Sequence, residues 1–345
     1  MKTLCIRADA NATMGVGHVM RCLALAQGWL TTGGEVVFLS CGLSNSLKKL
    51  LLDSGMSCLD MDAIWPDKND LRQTVEVASQ FEDVWLVVDG YQFDADYLSF
   101  LHNADLQVLA LDDGLYTDRF WDVDLLLNQN LNAELLTYQC ASHTECLLGA
   151  QYTLLRSEFR EFTKQDGSVS EDGAHVLITL GGGDPDNQTL KVVQACGFIR
   201  ESLCIKVVVG ATNPHIQSLQ KICDKVRHDI EILQDVHNMP ELMDWADIAI
   251  SAGGSTCWEL AFMGVPNLIV VTADNQLKIA KALHQKGVSV NLGWFEDVTP
   301  HDVFLALKDL LQNVSKRTEM TQKGFDTIDG LGVERVIKAM RVGCL

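Results

Sequence analysis

The sequence predicts an α/β protein made of two consecutive doubly wound, Rossmann-like domains facing each other across a central cleft. Three observations carry this expectation. Short apolar runs alternate with segments of helical periodicity along the chain. Many of these runs are apolar at every position, as strands buried on both faces of a parallel sheet require. The alternation also halts once, at a polar stretch, and then starts afresh, in a chain whose 345 residues exceed one ordinary core and suit two.

In order, residues 4–6 form a short apolar strand, and residues 19–30 have helical periodicity ending at Gly33 and Gly34. Residues 36–40 are a second strand, and 47–53 a helix stopped by Gly55. Residues 84–89 (VWLVVD), 107–112 (QVLALD) and 124–128 (DLLLN) are apolar runs bearing polar ends. Residues 162–174 (FTKQDGSVSEDGA) are polar and rich in Gly, Ser and Asp, and read as a linker. Beyond it, strands are expected at 176–180, 206–209, 230–233, 248–250 and 267–271. The intervening helices are expected at 189–198, 215–226, 239–246, 255–263 and 276–286. The expected division is therefore a domain over 1–161, the linker at 162–174 and a domain over 175–330. A terminal segment, 331–345, carries a helix near 333–342 that could return to the first domain. In open α/β sheets, ligands bind at the carboxyl ends of strands, so the residues after each strand are the ones to inspect.

Composition narrows the function. Hydrophobic residues are 47% and charged residues 21% of the chain, enough to bury a core and to exclude wholesale disorder. The formal net charge is −19. That balance argues against nucleic-acid partners and leaves any anionic ligand to local devices such as helix N-termini. No run reaches the roughly 18 apolar residues of a membrane span, and the N-terminus has no signal-peptide character. A cytoplasmic protein without membrane insertion is expected. The eleven cysteines fit reduced thiols. No Cys-x-x-Cys or Cys/His pair has zinc spacing, so neither a metal nor a cofactor is expected.

Two strand exits stand out. The first runs from Arg7 through Asp9, Gly15, Gly17 and His18 to Arg21. Its glycines permit a tight turn and close approach to a ligand. His18 opens a helix, where the N-terminal dipole disfavours imidazolium and suits a general base. The motif lacks the Gly-Lys-Ser/Thr ending of a phosphate-binding loop, and Arg21 spoils a dinucleotide fingerprint. Asp89-Gly90-Tyr91, Asp112-Asp113-Gly114 and Asn128-Gln129-Asn130 are further polar strand ends. Singly, each fits a helix cap better; together around His18 they read as a sugar pocket. The second exit, Gly253-Gly254-Ser255-Thr256, leads a strand into a helix bearing Glu259. It offers backbone N–H groups and hydroxyls to an anion, and Glu259 a carboxylate to a ribose. Asp274-Asn275-Gln276 follows the next strand.

The pattern from Gly253-Gly254-Ser255-Thr256 through Glu259-Leu260 to Gly264-Val265-Pro266 resembles the nucleotide-diphosphate site of GT-B glycosyltransferases of the MurG type. The N-terminal motif is similar to that of the PseG-type UDP-sugar hydrolases of pseudaminic acid biosynthesis. Agreement extends through Val88-Asp89-Gly90-Tyr91, Leu111-Asp112-Asp113, residues 126–130, residues 152–159 and Leu180-Gly181-Gly182-Gly183-Asp184. The resemblance runs from about residue 3 to about residue 290. It implies a GT-B fold and a substrate, UDP-2,4-diacetamido-2,4,6-trideoxy-β-L-altropyranose, from which water displaces UDP with inversion at the anomeric carbon. The family's catalytic histidine matches His18, and the tyrosine of its Asp-x-Tyr motif matches Tyr91. Its nucleotide-contacting turn matches Gly253, Gly254, Ser255 and Thr256, its ribose-binding glutamate matches Glu259, and its Asn-Gln pair matches Asn275 and Gln276. Gly17 and Arg21 flank His18 as candidate substrate contacts, while Asn128 and Asn130 could read acetamido groups. UDP is already a good leaving group, so this scheme calls for charge stabilisation and a general base rather than a metal.

Two other readings use the same residues. A glycosyltransferase would have His18 deprotonate an acceptor hydroxyl instead of water. A nucleotide-sugar sensor would keep the turn at 253–259 and have no use for His18. The sequence does not specify an oligomeric state.

Overall fold

The computed structural model describes residues 2–10, 15–162, 174–210, 213–234, 236 and 238–342. Residues 163–173 of the expected linker lie outside the described residues. The chain forms two compact units: Met1–Arg160 with Gly330–Leu345, and Glu161–Asp329.

Unit 1 opens with β1 (Thr3–Ala8), α1 (Gly17–Thr31), β2 (Glu35–Ser40), α2 (Asn45–Asp53) and β3 (Ser57–Asp60). It continues with α3 (Lys68–Ala78), β4 (Val84–Asp89), α4 (Ala95–Asn103), β5 (Gln107–Leu111) and β6 (Phe120–Trp121). Then come β7 (Leu125–Asn128), β8 (Gln139–Cys140), β9 (Glu145–Leu148) and α5 (Ser157–Arg160). Seven strands make a parallel sheet in the order β3-β2-β1-β4-β5-β7-β9, and β6 pairs separately with β8. The central strands β1 and β4 are buried at every residue, as their apolar runs require. Side chains set the helix starts: Ser44, Asp67 and Asp94 accept the N–H groups of Leu47, Asn69 and Tyr97 at the heads of α2, α3 and α4.

The N-terminal motif also supplies a buried charge network. Arg7 pairs with Asp9 and with Asp70, and the Tyr97 hydroxyl donates to Asp70 Oδ1 at 2.9 Å. Arg7, Asp9 and Asp70 are all inaccessible to solvent, so removing any one would leave an uncompensated charge inside the sheet layer.

Unit 2 comprises β10 (His175–Thr179), α6 (Gln188–Cys196), β11 (Cys204–Val209), α7 (Ile216–Cys223) and β12 (Asp229–Gln234). It then forms α8 (Met239–Trp245), β13 (Ile248–Ala252), α9 (Thr256–Phe262), β14 (Asn267–Val271) and α10 (Gln276–Lys286). It ends with β15 (Ser289–Trp294), α11 (Pro300–Gln312) and α12 (Val314–Thr327). Its six-stranded parallel sheet has the order β12-β11-β10-β13-β14-β15.

The last helix, α13 (Gly332–Val342), belongs to unit 1. Val333, Val336 and Met340 are fully buried there in one apolar cluster with Leu23, Ala26 and Trp29 of α1. Burying each such side chain is worth about 1.5–3 kcal/mol. A Cβ at Gly28 would lie 2.3 Å from Val333 Cγ1, so glycine is what lets the two helices approach. Among the described residues, no helix is long and apolar enough to cross a membrane.

Both sheets reverse their strand order once, between β1 and β4 in unit 1 and between β10 and β13 in unit 2. Such reversals open a crevice at the carboxyl ends of the two strands. Those ends carry Ala8 and Asp89 in unit 1, which face each other in register, and Thr179 and Ala252 in unit 2.

Candidate active site

His18 is the second residue of α1 and stands at the reversal point of unit 1. Its Nδ1 lies 2.7 Å from Oδ1 of Asp89, the last residue of β4. Arg21, one turn further along α1, donates from Nε to Asp89 Oδ2 at 2.6 Å and from Nη2 to Asp89 Oδ1 at 2.7 Å. The same guanidinium donates from Nη1 to Asp113 Oδ1 at 2.6 Å. Asp113 receives two further bonds, from the Tyr91 hydroxyl at 2.9 Å and from Asn130 Nδ2 at 3.3 Å. The Tyr91 ring meets the His18 ring edge to face, with centroids 4.7 Å apart. Four sequence-predicted residues, His18, Arg21, Tyr91 and Asn130, thus converge on one network. Gly17 immediately precedes His18, and a Cβ there would meet nothing within 4 Å.

The electrostatics keep both buried carboxyls ionised beside Arg21. Burial alone would raise the Asp89 carboxyl, but Arg21 and His18 outweigh it and hold it well below the usual carboxylate range. Asp113 is lowered in the same way, burial being overcome by Arg21. Burial opposes the Arg21 charge, and Asp113 and Asp89 more than restore it. Asp89 is therefore an ionised acceptor. The hydrogen between it and His18 belongs to Nδ1, and in the neutral ring the lone pair sits on Nε2. This is the pairing by which a buried carboxylate fixes the tautomer of a catalytic imidazole. The guanidinium of Arg21 is engaged by two buried carboxylates, so the structure gives it a bracing position within the protein.

Asn128 is also turned inward. Its Nδ2 donates to the Tyr138 hydroxyl at 2.8 Å and its Oδ1 accepts the Asn130 N–H at 3.0 Å. The Tyr138 hydroxyl in turn donates to Asp112 Oδ2 at 2.8 Å. Asn128 shapes the turn that carries Asn130. The Asn130 Oδ1 is buried and has no hydrogen-bond partner, an arrangement that leaves an acceptor for an N–H or O–H of a ligand.

At the reversal point of unit 2, Gly253–Thr256 lead from β13 into α9. A Cβ at Gly253 would lie 2.9 Å from Gln276 Cβ, whereas one at Gly254 would meet nothing within 4 Å. Gly253 is thus fixed by packing and Gly254 opens onto space. Ser255 precedes the helix without a side-chain capping bond, and Ser255, Thr256 and Glu259 are half-buried. Gln276 Oε1 accepts from Gly253 N at 3.1 Å and from Thr272 N at 2.9 Å, tying together the ends of β13 and β14. Asn275 stands at the N-cap position of α10 beside it, half-buried and without a side-chain capping bond. The glycine-rich exit of β10 is similarly tight: a Cβ at Gly210 would lie 2.2 Å from the Gly182 carbonyl oxygen. Asp184 accepts the N–H groups of Gln188 and Thr189 there, at 2.7 and 2.9 Å.

Asp89 and Asp113, which the sequence marks only as polar strand ends, are the residues that anchor His18 and Arg21. Neither caps a helix; Asp94 takes that place at α4. The signal was their position, an acid at the end of a strand beside the sheet reversal.

Comparison with known proteins adds lineage. Residues 175–335 match the glycosyltransferase family 28 C-terminal domain. The chain is 26% identical over 196 residues to the spore coat polysaccharide biosynthesis protein SpsG of Bacillus subtilis, covering 56% of this chain and 57% of that protein. The match thus spans little more than half of that relative. The chain is 24% identical over 293 residues to the UDP-2,4-diacetamido-2,4,6-trideoxy-beta-L-altropyranose hydrolase of Campylobacter jejuni, covering 84% of this chain and 98% of that one. Its fold is that of Acinetobacter baumannii MurG, with a TM-score of 0.70 over 99% of both chains at 16% identity. The GT-B fold expected from the sequence is borne out.

Proposed function

We propose that this chain, which matches the glycosyltransferase family 28 C-terminal domain over residues 175–335, is a UDP-sugar hydrolase. Its substrate in this reading is UDP-2,4-diacetamido-2,4,6-trideoxy-β-L-altropyranose. The products are UDP and the free sugar, released with inversion. The observation that carries the reading is the 2.7 Å pairing of His18 Nδ1 with an ionised Asp89. It leaves Nε2 as the atom that takes a proton from water as the water attacks the anomeric carbon. General-base assistance of this kind contributes roughly 10²–10⁴-fold.

The other residues divide the work. Tyr91 holds the imidazole edge-on and is itself held by Asp113. The unpaired Asn130 Oδ1 is an acceptor suited to an acetamido N–H. In unit 2, the backbone at Gly254 with the hydroxyls of Ser255 and Thr256 suits the diphosphate, and Glu259 suits the two hydroxyls of the ribose. Gln276 acts in this scheme by bracing Gly253 rather than by touching the ligand. The relative in Campylobacter jejuni that carries this hydrolase name matches over most of both chains, which supports the substrate class.

The family 28 domain match favours a second reading, transfer of the sugar to an acceptor hydroxyl. Incubating the purified protein with the UDP-sugar and following free UDP separates the two. Rapid release without acceptor is expected, and its loss in His18→Ala with UDP binding retained. Release that requires an acceptor would establish the transferase instead. Binding without turnover would make the protein a sensor.

A further inference from the structure

Away from His18, a second constellation of ligating side chains lies in unit 1. His102 in the last turn of α4, Asp122 between β6 and β7, and His143 between β8 and β9 bring their ligating atoms within 4.8 Å of one another. His143 Nε2 lies 3.6 Å from Asp122 Oδ1, too far for a hydrogen bond. The two imidazole rings stack with centroids 4.5 Å apart. We propose that these three residues form a binding site for a divalent transition-metal ion of zinc's class.

The donor set fits that class. Two imidazoles and one carboxylate suit zinc and its neighbours, with water completing the shell on the open side. Calcium and magnesium prefer all-oxygen sites. The backbone beneath the ligands is already fixed. Ala141 N donates to Trp121 O at 2.9 Å, and the Thr144 hydroxyl donates to Val123 O at 2.6 Å. Glu145 N donates to Asp124 O at 2.9 Å. These bonds bracket Asp122 on one turn and His143 on the other. Metal–ligand bonds of about 2.0–2.2 Å then require only that the side chains rotate inward from their present stack. His102 and Asp122 are half-buried and His143 is exposed, so there is room for this motion. The ion would fasten the C-terminal end of α4 to the two turns.

Cys140 of β8 and Cys146 of β9 flank the turn bearing His143, and their sulfurs, 3.6 Å apart, offer a competing site for the same ion. The test is therefore made in the Cys140→Ser/Cys146→Ser background. Titration with zinc chloride in a calorimeter is expected to show one saturable site. His102→Ala and His143→Ala, each added to that background, are expected to weaken it by at least about tenfold. Zinc should raise the melting temperature of the background protein and leave that of His143→Ala unchanged. An absence of saturable binding in the background protein, or binding unaltered in both histidine variants, would overturn the proposal.

Discussion

His18 and Asp89, 71 positions apart in the chain, are joined by a 2.7 Å contact at the single point where the sheet of unit 1 reverses its strand order. Asp89 sits in register with Ala8, the last residue of the strand before His18. The fold itself therefore sets their meeting.

Asp89→Asn tests the orienting role of the carboxylate. The amide can present N–H to Nδ1 and favour the tautomer with its hydrogen on Nε2, removing the base. Turnover is expected to fall by about 10²–10⁴-fold, with little change in KM. Steady-state UDP release checks this. A fall in KM-linked binding with turnover intact would argue for a substrate contact instead.

Arg21→Met leaves Asp89 and Asp113 buried without their cation. A loss of about 3–5 kcal/mol in unfolding free energy at neutral pH is expected, read from urea denaturation. The loss should shrink in acid. Both carboxyls are depressed in the folded protein, so the unfolded chain binds more protons as the pH falls. The stabilisation from Arg21 is complete above the unfolded-state value of about 3.9 and fades as the pH drops below it toward the folded value. Denaturation at pH 7 and near pH 3 should show the wild-type advantage narrowing; a constant gap would contradict the ionic account.

The glycine turn of unit 2 separates packing from binding. Gly253→Ala would press a methyl against Gln276 and is expected to lower both melting temperature and UDP affinity. Gly254→Ala points into open space, so stability should hold. UDP affinity should still fall by about tenfold, or roughly 1.4 kcal/mol, if a diphosphate lies against that backbone. Calorimetry with UDP and a melting curve decide both.

Gly28→Ala probes the contact of α1 with α13. Helix propensity would return up to about 1 kcal/mol, but a Cβ 2.3 Å from Val333 Cγ1 forces repacking at about 1–3 kcal/mol. Val333 is fully buried and β-branched, with little freedom to yield. A net destabilisation of about 1 kcal/mol in urea is expected.

Much of this was legible in the sequence because it is local. Apolar runs marked β4, β5, β7, β13 and β14, since strands buried on both faces need no alternation. The glycine motifs beside His18 and Ser255 were visible because a tight turn is a property of adjacent residues. By contrast, β15 (SVNLGW) is a half-buried edge strand with a register shift beside it, and shows no continuous apolar run. The head of α11 did carry a signal, the Thr299–Asp302 capping box with Pro300 inside it. Which strand end pairs with which atom around His18, the inward turn of Gln276 and the cluster at His102, Asp122 and His143 were illegible, because each joins segments that only the fold brings together.

The return of α13 to the first unit has a consequence for biosynthesis. Residues 332–342 are translated after every strand of unit 2, yet they complete the apolar layer over α1. The earlier-made half therefore waits, with one flank of α1 uncovered, until the whole of unit 2 has been synthesised. Unit 1 thus emerges first and is completed last.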